Sequence, residues 1–157
     1  MIIIICSSAT YFSTLNKFSY KNIPRIDVKE KYQVVKVLDG DTFEVKIDQK
    51  IVTVRMLGID TPETIDPRKP VQCFGIEASN QTKELLEGYS VTLEIDKTQS
   101  ILDKYGRVLA YVYRDDDLFI NKYLIENGYA HEYTYYTPYK KQKEFKGLEK
   151  EARKNKR

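Results

Sequence analysis

The chain of 157 residues has no tryptophan, one histidine and two cysteines. Each scarcity removes a class of chemistry. Cys6 and Cys73 are too few for a disulfide framework, and neither sits in a C-x-x-C or Cys/His pattern. The lone His131 excludes a histidine-rich zinc site and reads as an ordinary surface or packing residue. Any acid–base chemistry then rests on carboxylates, Lys, Tyr or Arg. No apolar run approaches the ~20 residues that a membrane helix needs, so no membrane partner is expected. Net charge is only +3, which says little by itself about a polyanionic partner.

What is present is unevenly placed. Pro138 to Arg157 carries nine Lys/Arg against three Glu, which leaves the rest of the chain slightly acidic. Such a segment suits a phosphate backbone or is a solvated helix face. The 41% hydrophobic and 31% charged composition is that of a globular protein, and the length fits one domain with its own core. Met1 to Cys6 is apolar and is followed by Ser7-Ser8-Ala9. This is either a remnant of an export signal, though short and without a basic start, or a chance apolar beginning. Residues 1–29 show no clean period and read as a flexible leader. Residues 30–157 form the expected domain.

Periodicity outlines that domain. Tyr32, Val34, Val35 and Val37 mark a first strand, and Asp39-Gly40 predicts a type I′ hairpin turn. Phe43, Val45 and Ile47 alternate with polar residues as a second strand. A third places Val52, Val54 and Met56 on one face and Thr53 and Arg55 on the other, ending at Thr61-Pro62. From Gly75 to Leu86 the period becomes helical, with Ala78, Thr82 and Leu85 on one face. Val91, Leu93 and Ile95 make a fourth strand, and Arg107 to Tyr113 a fifth. Leu118 to Asn127 predicts a second helix closed by Gly128. Pro138 opens a third, spaced by Phe145, Leu148 and Ala152. Beyond Ala152 there is no apolar anchor, so the end is expected to fray. Five short strands with a helix between the third and fourth is the order of an OB-type barrel.

Four motifs carry the chemistry: V-L-D-G-D-T-F from Val37, R-x-L-G-I-D-T-P-E-T from Arg55, F-G-x-E-A-S from Phe74 and D-K-Y-G-R-x-L-A-Y-V-Y from Asp103. They supply carboxylates for a hard cation, a further carboxylate for proton transfer and two guanidinium groups. That is equipment for cutting a phosphodiester. In order, spacing and residue types they resemble the staphylococcal nuclease (thermonuclease) family, over roughly Tyr32 to Arg153.

The resemblance implies an α+β fold, mainly β: a five-stranded OB-type barrel with three helices. It implies a calcium-dependent endonuclease that hydrolyses DNA and RNA with weak sequence preference and leaves 3′-phosphate ends. By position, Asp41 and Asp60 match the family's metal carboxylates, and Thr61 the residue that gives a backbone carbonyl to the ion. Glu63 matches the general base. Arg55 and Arg107 match the two active-site arginines, whose planar forks can hold two phosphate oxygens. Lys104 and Tyr105 match residues near the substrate's terminal phosphate, although D-K-Y-G is also a plausible turn. Tyr133 and Tyr136, with Tyr135 between, lie where the family stacks a base; core packing is an equal reading. The resemblance also implies a monomer that prefers single-stranded or locally open nucleic acid. Together with the apolar start it suggests secretion or the cell envelope. Non-catalytic binding modules of the same barrel type are the alternative, but those usually lose metal or arginine residues that this chain keeps. The family's C-terminal Gly-Leu-Trp anchor is missing here.

Overall fold

The computed structural model describes residues 25–63 and 72–157. The leader reading therefore falls mostly outside the described residues, as does the loop 64–71. Strands β1 (Tyr32–Asp39), β2 (Thr42–Ile47), β3 (Lys50–Met56) and β4 (Ile59–Asp60) lead to helix α1 (Gly75–Leu86). Then come β5 (Ser90–Glu94), β6 (Val108–Arg114), α2 (Ile120–Glu126), β7 (His131–Glu132) and α3 (Gln142–Lys154). Among the described residues, five strands close a barrel in the order β1-β2-β3-β6-β5, with three helices around it. All its pairs are antiparallel except β3–β6, where Val54, Arg55 and Met56 face Val108, Leu109 and Ala110. This is the expected OB-type α+β architecture. No helix among the described residues is long and apolar enough to cross a membrane.

The alternation read from sequence fills the barrel. Phe43, Val45, Val54, Val91, Leu93, Val108 and Val112 are fully buried. Ala78, Thr82 and Leu85 turn α1 toward β1, and Thr82 Oγ1 donates to Gly40 O at 2.6 Å. Phe145 and Ala152 bury one face of α3, with Leu148 partly buried beside them.

Three expectations are corrected. The type I′ turn is not at Asp39-Gly40: Asp39 pairs with Thr42, and neither Gly40 nor Asp41 between them has positive φ. Glycine is needed there for space, because a Cβ would lie 2.7 Å from Thr61 Oγ1. The left-handed pair sits one hairpin on, at Asp48 (φ 47°) and Gln49 (φ 64°), between partners Ile47 and Lys50. Second, β3 stops at Met56 instead of running to Thr61. Leu57 and Gly58 reverse the chain, and β4 pairs with β7 through Ile59 with Glu132 and Asp60 with His131. Third, the C-terminal end is docked. Arg157 N–H donates to Ala152 O at 3.0 Å, its Nη1 reaches Glu126 O at 3.4 Å, and its backbone lies against Gly128. The side chain that would block this seat is absent at Gly128, whose φ is 77°.

Two buried polar residues hold the frame. Asn121 donates from Nδ2 to Leu57 O at 2.9 Å and accepts Val112 N–H at 2.8 Å, joining α2 to the reversal and to β6. Asp96, only 3% exposed, accepts from Thr98 N–H, Thr98 Oγ1, Tyr111 OH and Lys140 N–H at 2.7–2.9 Å. Helix α3 starts later than Pro138, because the Lys140 and Lys141 amides form a turn and donate to Asp96 and Tyr111 OH. Burial alone would raise the Asp96 carboxyl, but these hydrogen bonds outweigh it and lower it from 3.8 to about 2.

A depressed native carboxyl stabilises the fold above its unfolded value, and that stability is lost as pH falls through the native one. Asp96 should therefore contribute roughly 2 kcal/mol at neutral pH, fading between about pH 4 and pH 2. Urea titrations of Asp96→Asn should show a lower midpoint at pH 7 and a flatter decline into acid. A variant as stable as the parent at pH 7 would remove Asp96 as the anchor.

Candidate functional site

The reversal at Leu57-Gly58 sets the site. Leu57 N–H donates to Ala110 O at 2.9 Å; Gly58 O accepts from Tyr133 N–H and Tyr139 OH, both at 3.0 Å. Gly58 has φ 81°, and a Cβ there would lie 2.6 Å from the Tyr139 ring. The turn so held brings Asp60 back beside Arg55 on the strand it has just left.

Arg55 joins the two expected metal carboxylates. Its Nη1 lies 3.0 Å from Asp41 Oδ2 and its Nη2 2.8 Å from Asp60 Oδ1. Nη1 also donates to Ile59 O at 2.8 Å and Met56 O at 3.1 Å. Asp41 is buried, its Oδ1 accepting from Thr42 Oγ1 at 2.9 Å and its Oδ2 from Thr61 N–H at 3.0 Å. Thr61 Oγ1 is buried with no hydrogen-bond partner among the described residues. Asp60 is more open. Burial raises its carboxyl above the ordinary value, Arg55 and His131 oppose this, and the charges of Asp41 and Glu63 add to it. Negative charge is thus crowded where three expected site residues meet.

Those residues fit a hard divalent cation: two carboxylates converge on a single positive group, and their chemistry is oxygen alone. Among the described residues no cluster of three His, Cys, Asp or Glu comes together as a metal site. Two side-chain donors alone would hold such an ion weakly.

Glu63 stands at the edge of this group, close enough for its charge to be felt at Asp60. Its backbone is clasped by Gln72, whose Oε1 accepts Glu63 N–H at 2.9 Å and whose N–H donates to Glu63 O at 3.0 Å. Nothing in the sequence singles out Gln72, because the clasp spans a loop of unrelated residues.

Arg107 enters from the other side of the parallel pair, just ahead of β6. Asp103 Oδ2 accepts its Nε–H at 2.6 Å, and Asp103 Oδ1 accepts the Tyr105 and Arg107 amides at 2.9 Å. Both Nη groups are left without a protein partner among the described residues, while the guanidinium carbon lies 5.3 Å from the centre of the Tyr105 ring. Asp103 is a positioning residue that the expected set omits. The Asp-x-x-Gly-Arg pattern, in which an aspartate caps its own turn, is the signal that could have found it.

A cleft of about 590 Å³ is lined by Arg55, Asp60, Lys104, Tyr105, Arg107, Tyr133, Tyr135 and Tyr136 among others. Asp41, Thr61 and Glu63 are not part of its wall; Asp41 sits behind Arg55. Lys104 Nζ hovers between Tyr105 (4.9 Å) and Tyr135 (6.0 Å), and hydrogen bonds with both hydroxyls raise its ammonium above the usual value. Tyr133, Tyr135 and Tyr136 are exposed by 44%, 55% and 83%, which removes the core-packing reading. The packing tyrosines are Tyr32, Tyr111 and Tyr139 instead. His131 is exposed on β7, with Nδ1 3.4 Å from Glu149 Oε1.

The chain matches the family model described as "Staphylococcal nuclease homologue" over residues 53–157. It belongs to the staphylococcal nuclease family. It is 43% identical over 129 residues to a thermonuclease of Staphylococcus hyicus, covering 82% of this chain and 75% of that protein. It is 46% identical over 101 residues to a thermonuclease of Staphylococcus intermedius, covering 64% and 58%. It is also similar to the SPbeta prophage-derived endonuclease YokF of Bacillus subtilis, 42% identical over 122 residues, or 77% of this chain and 40% of that protein. The chain thus spans less than two thirds of the second and third relatives. As a member of the staphylococcal nuclease family it keeps the barrel and brings Asp41, Asp60 and Arg55 into direct contact.

Asp103→Asn keeps an oxygen for the turn amides but can take away the acceptor at Arg107 Nε. In NMR spectra the Arg107 Nε–H should then exchange with solvent markedly faster, with the thermal midpoint within a few degrees of the parent. Unaltered exchange would mean that Asp103 does not orient Arg107.

Proposed function

We propose that this chain is a calcium-dependent nuclease that hydrolyses phosphodiester bonds in DNA and RNA with weak sequence preference, leaving 3′-phosphate ends. The observation that carries the reading is the meeting of Asp41 and Asp60 on Arg55, with Arg107 presented from just ahead of the adjoining strand. Support comes from relatives named thermonuclease and endonuclease.

Each residue has a task in this reading. Asp41, Asp60 and the Thr61 carbonyl would hold calcium, which supplies positive charge beside the phosphate. Glu63 takes a proton from the attacking water. Arg107, its Nε tied to Asp103, offers its two free Nη groups to the non-bridging oxygens, and Arg55 lends charge from the cleft wall. The 5′ oxygen departs. Lys104 and Tyr105 receive a terminal phosphate at the cleft mouth. Tyr133 and Tyr136 offer open ring faces to bases, a contact worth ~1–3 kcal/mol per base with little sequence preference. Rings can be reached only by unpaired bases, which favours single-stranded or locally open substrate. In this reading the working unit is a monomer.

With so few protein donors, a chelator should abolish digestion of single-stranded DNA, and added calcium should restore it. Magnesium, with its stricter octahedral shell, should restore it poorly. Digestion that continues under chelator would exclude the metal-dependent reading. Glu63→Gln should slow turnover by roughly 10²–10⁴ with little change in thermal midpoint. Arg107→Lys should also be slow, because an ammonium cannot copy the fork. Near-parental turnover in both variants would refute these roles.

A further inference from the structure

Helix α3 carries its charges in an ordered way. Lys143, Lys146, Lys150 and Lys154 are all exposed, and spacings of three and four residues keep them on one side of the helix. That side lies opposite Phe145 and Ala152, which are buried against the rest of the fold. The acids of the helix stand on its flanks. Glu144 leans toward Lys122 of α2 at 3.9 Å, and Glu151 follows along the same flank. Glu149, on the other flank, is held between His131 of β7 at 3.4 Å and Arg153 at 2.7 Å. None of the four lysines makes an ion pair among the described residues; the paired lysines are Lys122, Lys140 and Lys141. Gly147 lies within the row. Its φ is not positive and a Cβ there would meet nothing within 4 Å, so neither strain nor packing calls for glycine. Glycine weakens a helix interior, yet here it leaves the backbone bare between lysines.

The row begins where the cleft ends. Tyr139, just ahead of α3, lines the cleft, as Tyr133 does. Gln142 Nε2 donates to Thr134 Oγ1 at 2.6 Å, which ties the first turn of α3 to the segment that carries the exposed tyrosines. From Lys143 to Lys154 the row runs about 16 Å, room for several phosphates. Resting on the nuclease reading above, we infer that this lysine row is a second binding tract for the substrate strand: nucleic acid leaving the cleft past Tyr133 and Tyr136 lies along α3, with its phosphates on Lys143, Lys146, Lys150 and Lys154. Gly147 lets the strand come close to the helix between them. The tract is remote from the bond that is cut. It serves only strands long enough to leave the cleft, and it works through charge, so it adds affinity without sequence preference and with a steep dependence on salt. An anionic membrane fits less well. A helix that lies on lipid needs a free apolar face, and that of α3 is already buried.

The test compares the full-length parent with a triple variant, Lys143→Gln with Lys146→Gln and Lys150→Gln, and separately with Gly147→Glu. Glutamine and glutamate are good helix formers, so thermal midpoints should stay near the parent's. Binding of a labelled thymidine 20-mer is read by fluorescence anisotropy across a salt series, with chelator present to prevent cleavage. The triple variant should bind it about 10- to 100-fold more weakly at low salt, and its log–log salt slope should flatten by about 2, since each phosphate contact on a single strand contributes ~0.7. Gly147→Glu, which sets an acid in the row, should bind the 20-mer several-fold more weakly. With calcium added, KM for the 20-mer should rise in both variants, while kcat and the KM for a thymidine trinucleotide stay as in the parent. A 20-mer affinity and salt slope equal to the parent's would overturn the tract and leave a solvated face. Equal losses on the trinucleotide and the 20-mer would overturn it too, because the lysines would then act on the cleft. Lysine-dependent binding to phosphatidylglycerol vesicles, with 20-mer binding unchanged, would overturn it in favour of a membrane surface. The nuclease reading fails separately: a parent that binds the 20-mer through these lysines yet cleaves neither substrate would keep the tract and remove the enzyme.

Discussion

The reversal at Leu57-Gly58 is the constraint on which the site depends. One strand carries Arg55 outward, and two residues later the chain must turn back so that Asp60 can face it. Such a turn buries two carbonyls, which are costly if unpaired. Asn121 from α2 takes Leu57 O, and Tyr139 and the Tyr133 amide take Gly58 O. The turn is thus secured from the far side by segments of the chain more than sixty residues later. Those segments are themselves fixed to the barrel, Asn121 by Val112 N–H and the Tyr139 region by Asp96 through Lys140 N–H. A chain of polar contacts runs from Asp96, just past β5, to the Leu57-Gly58 turn, each satisfied, which is the condition under which buried polarity gives rigidity.

The electrostatic layout follows from this frame. Two acids and one base are brought together, and a third acid stands close by. In the absence of other ions Arg55 is the main neutraliser, and it is held there by backbone carbonyls as much as by charge. Across the parallel pair, Asp103 orients Arg107 but leaves the working end of its fork open. Two residues of one type, one on β3 and one just ahead of β6, are thereby set apart by their partners alone. The aromatic rim adds surface that is apolar yet exposed, ordered by Lys104 lying between two rings.

Much of this was legible in the sequence, for definite reasons. Alternation at Phe43, Val45 and Ile47 and the helical spacing of Ala78, Thr82 and Leu85 report burial on one face, and burial is what fixes strands and helices. The four motifs singled out Asp41, Arg55 and Asp60, which the fold brings into contact, because each stands at a turn or strand end whose neighbours are distinctive. What escaped was long-range. The β4–β7 pair is two residues long on each side and has no period to read. The role of Gly40 depends on Thr61, not on its own turn, so local turn rules assigned it the wrong φ. Asp96 and Asn121 look like ordinary polar residues until their partners arrive from elsewhere. The seating of Arg157 on Gly128 likewise joins two segments whose sequences say nothing of each other.

The parallel pairing of β3 with β6 joins Val54 to Val108, fifty-four positions apart in the chain. Contacts of such separation carry a large closure entropy and come late when a protein folds. Arg55 and Arg107 lie at this seam, one on each side, and Asp60 returns to Arg55 only by a turn that leans on α2 and Tyr139. A nascent or unfolded chain therefore holds its acids and arginines as scattered side chains with no common centre. The constellation is created by the closing of the barrel itself, so the chain has no common site until β3 and β6 meet.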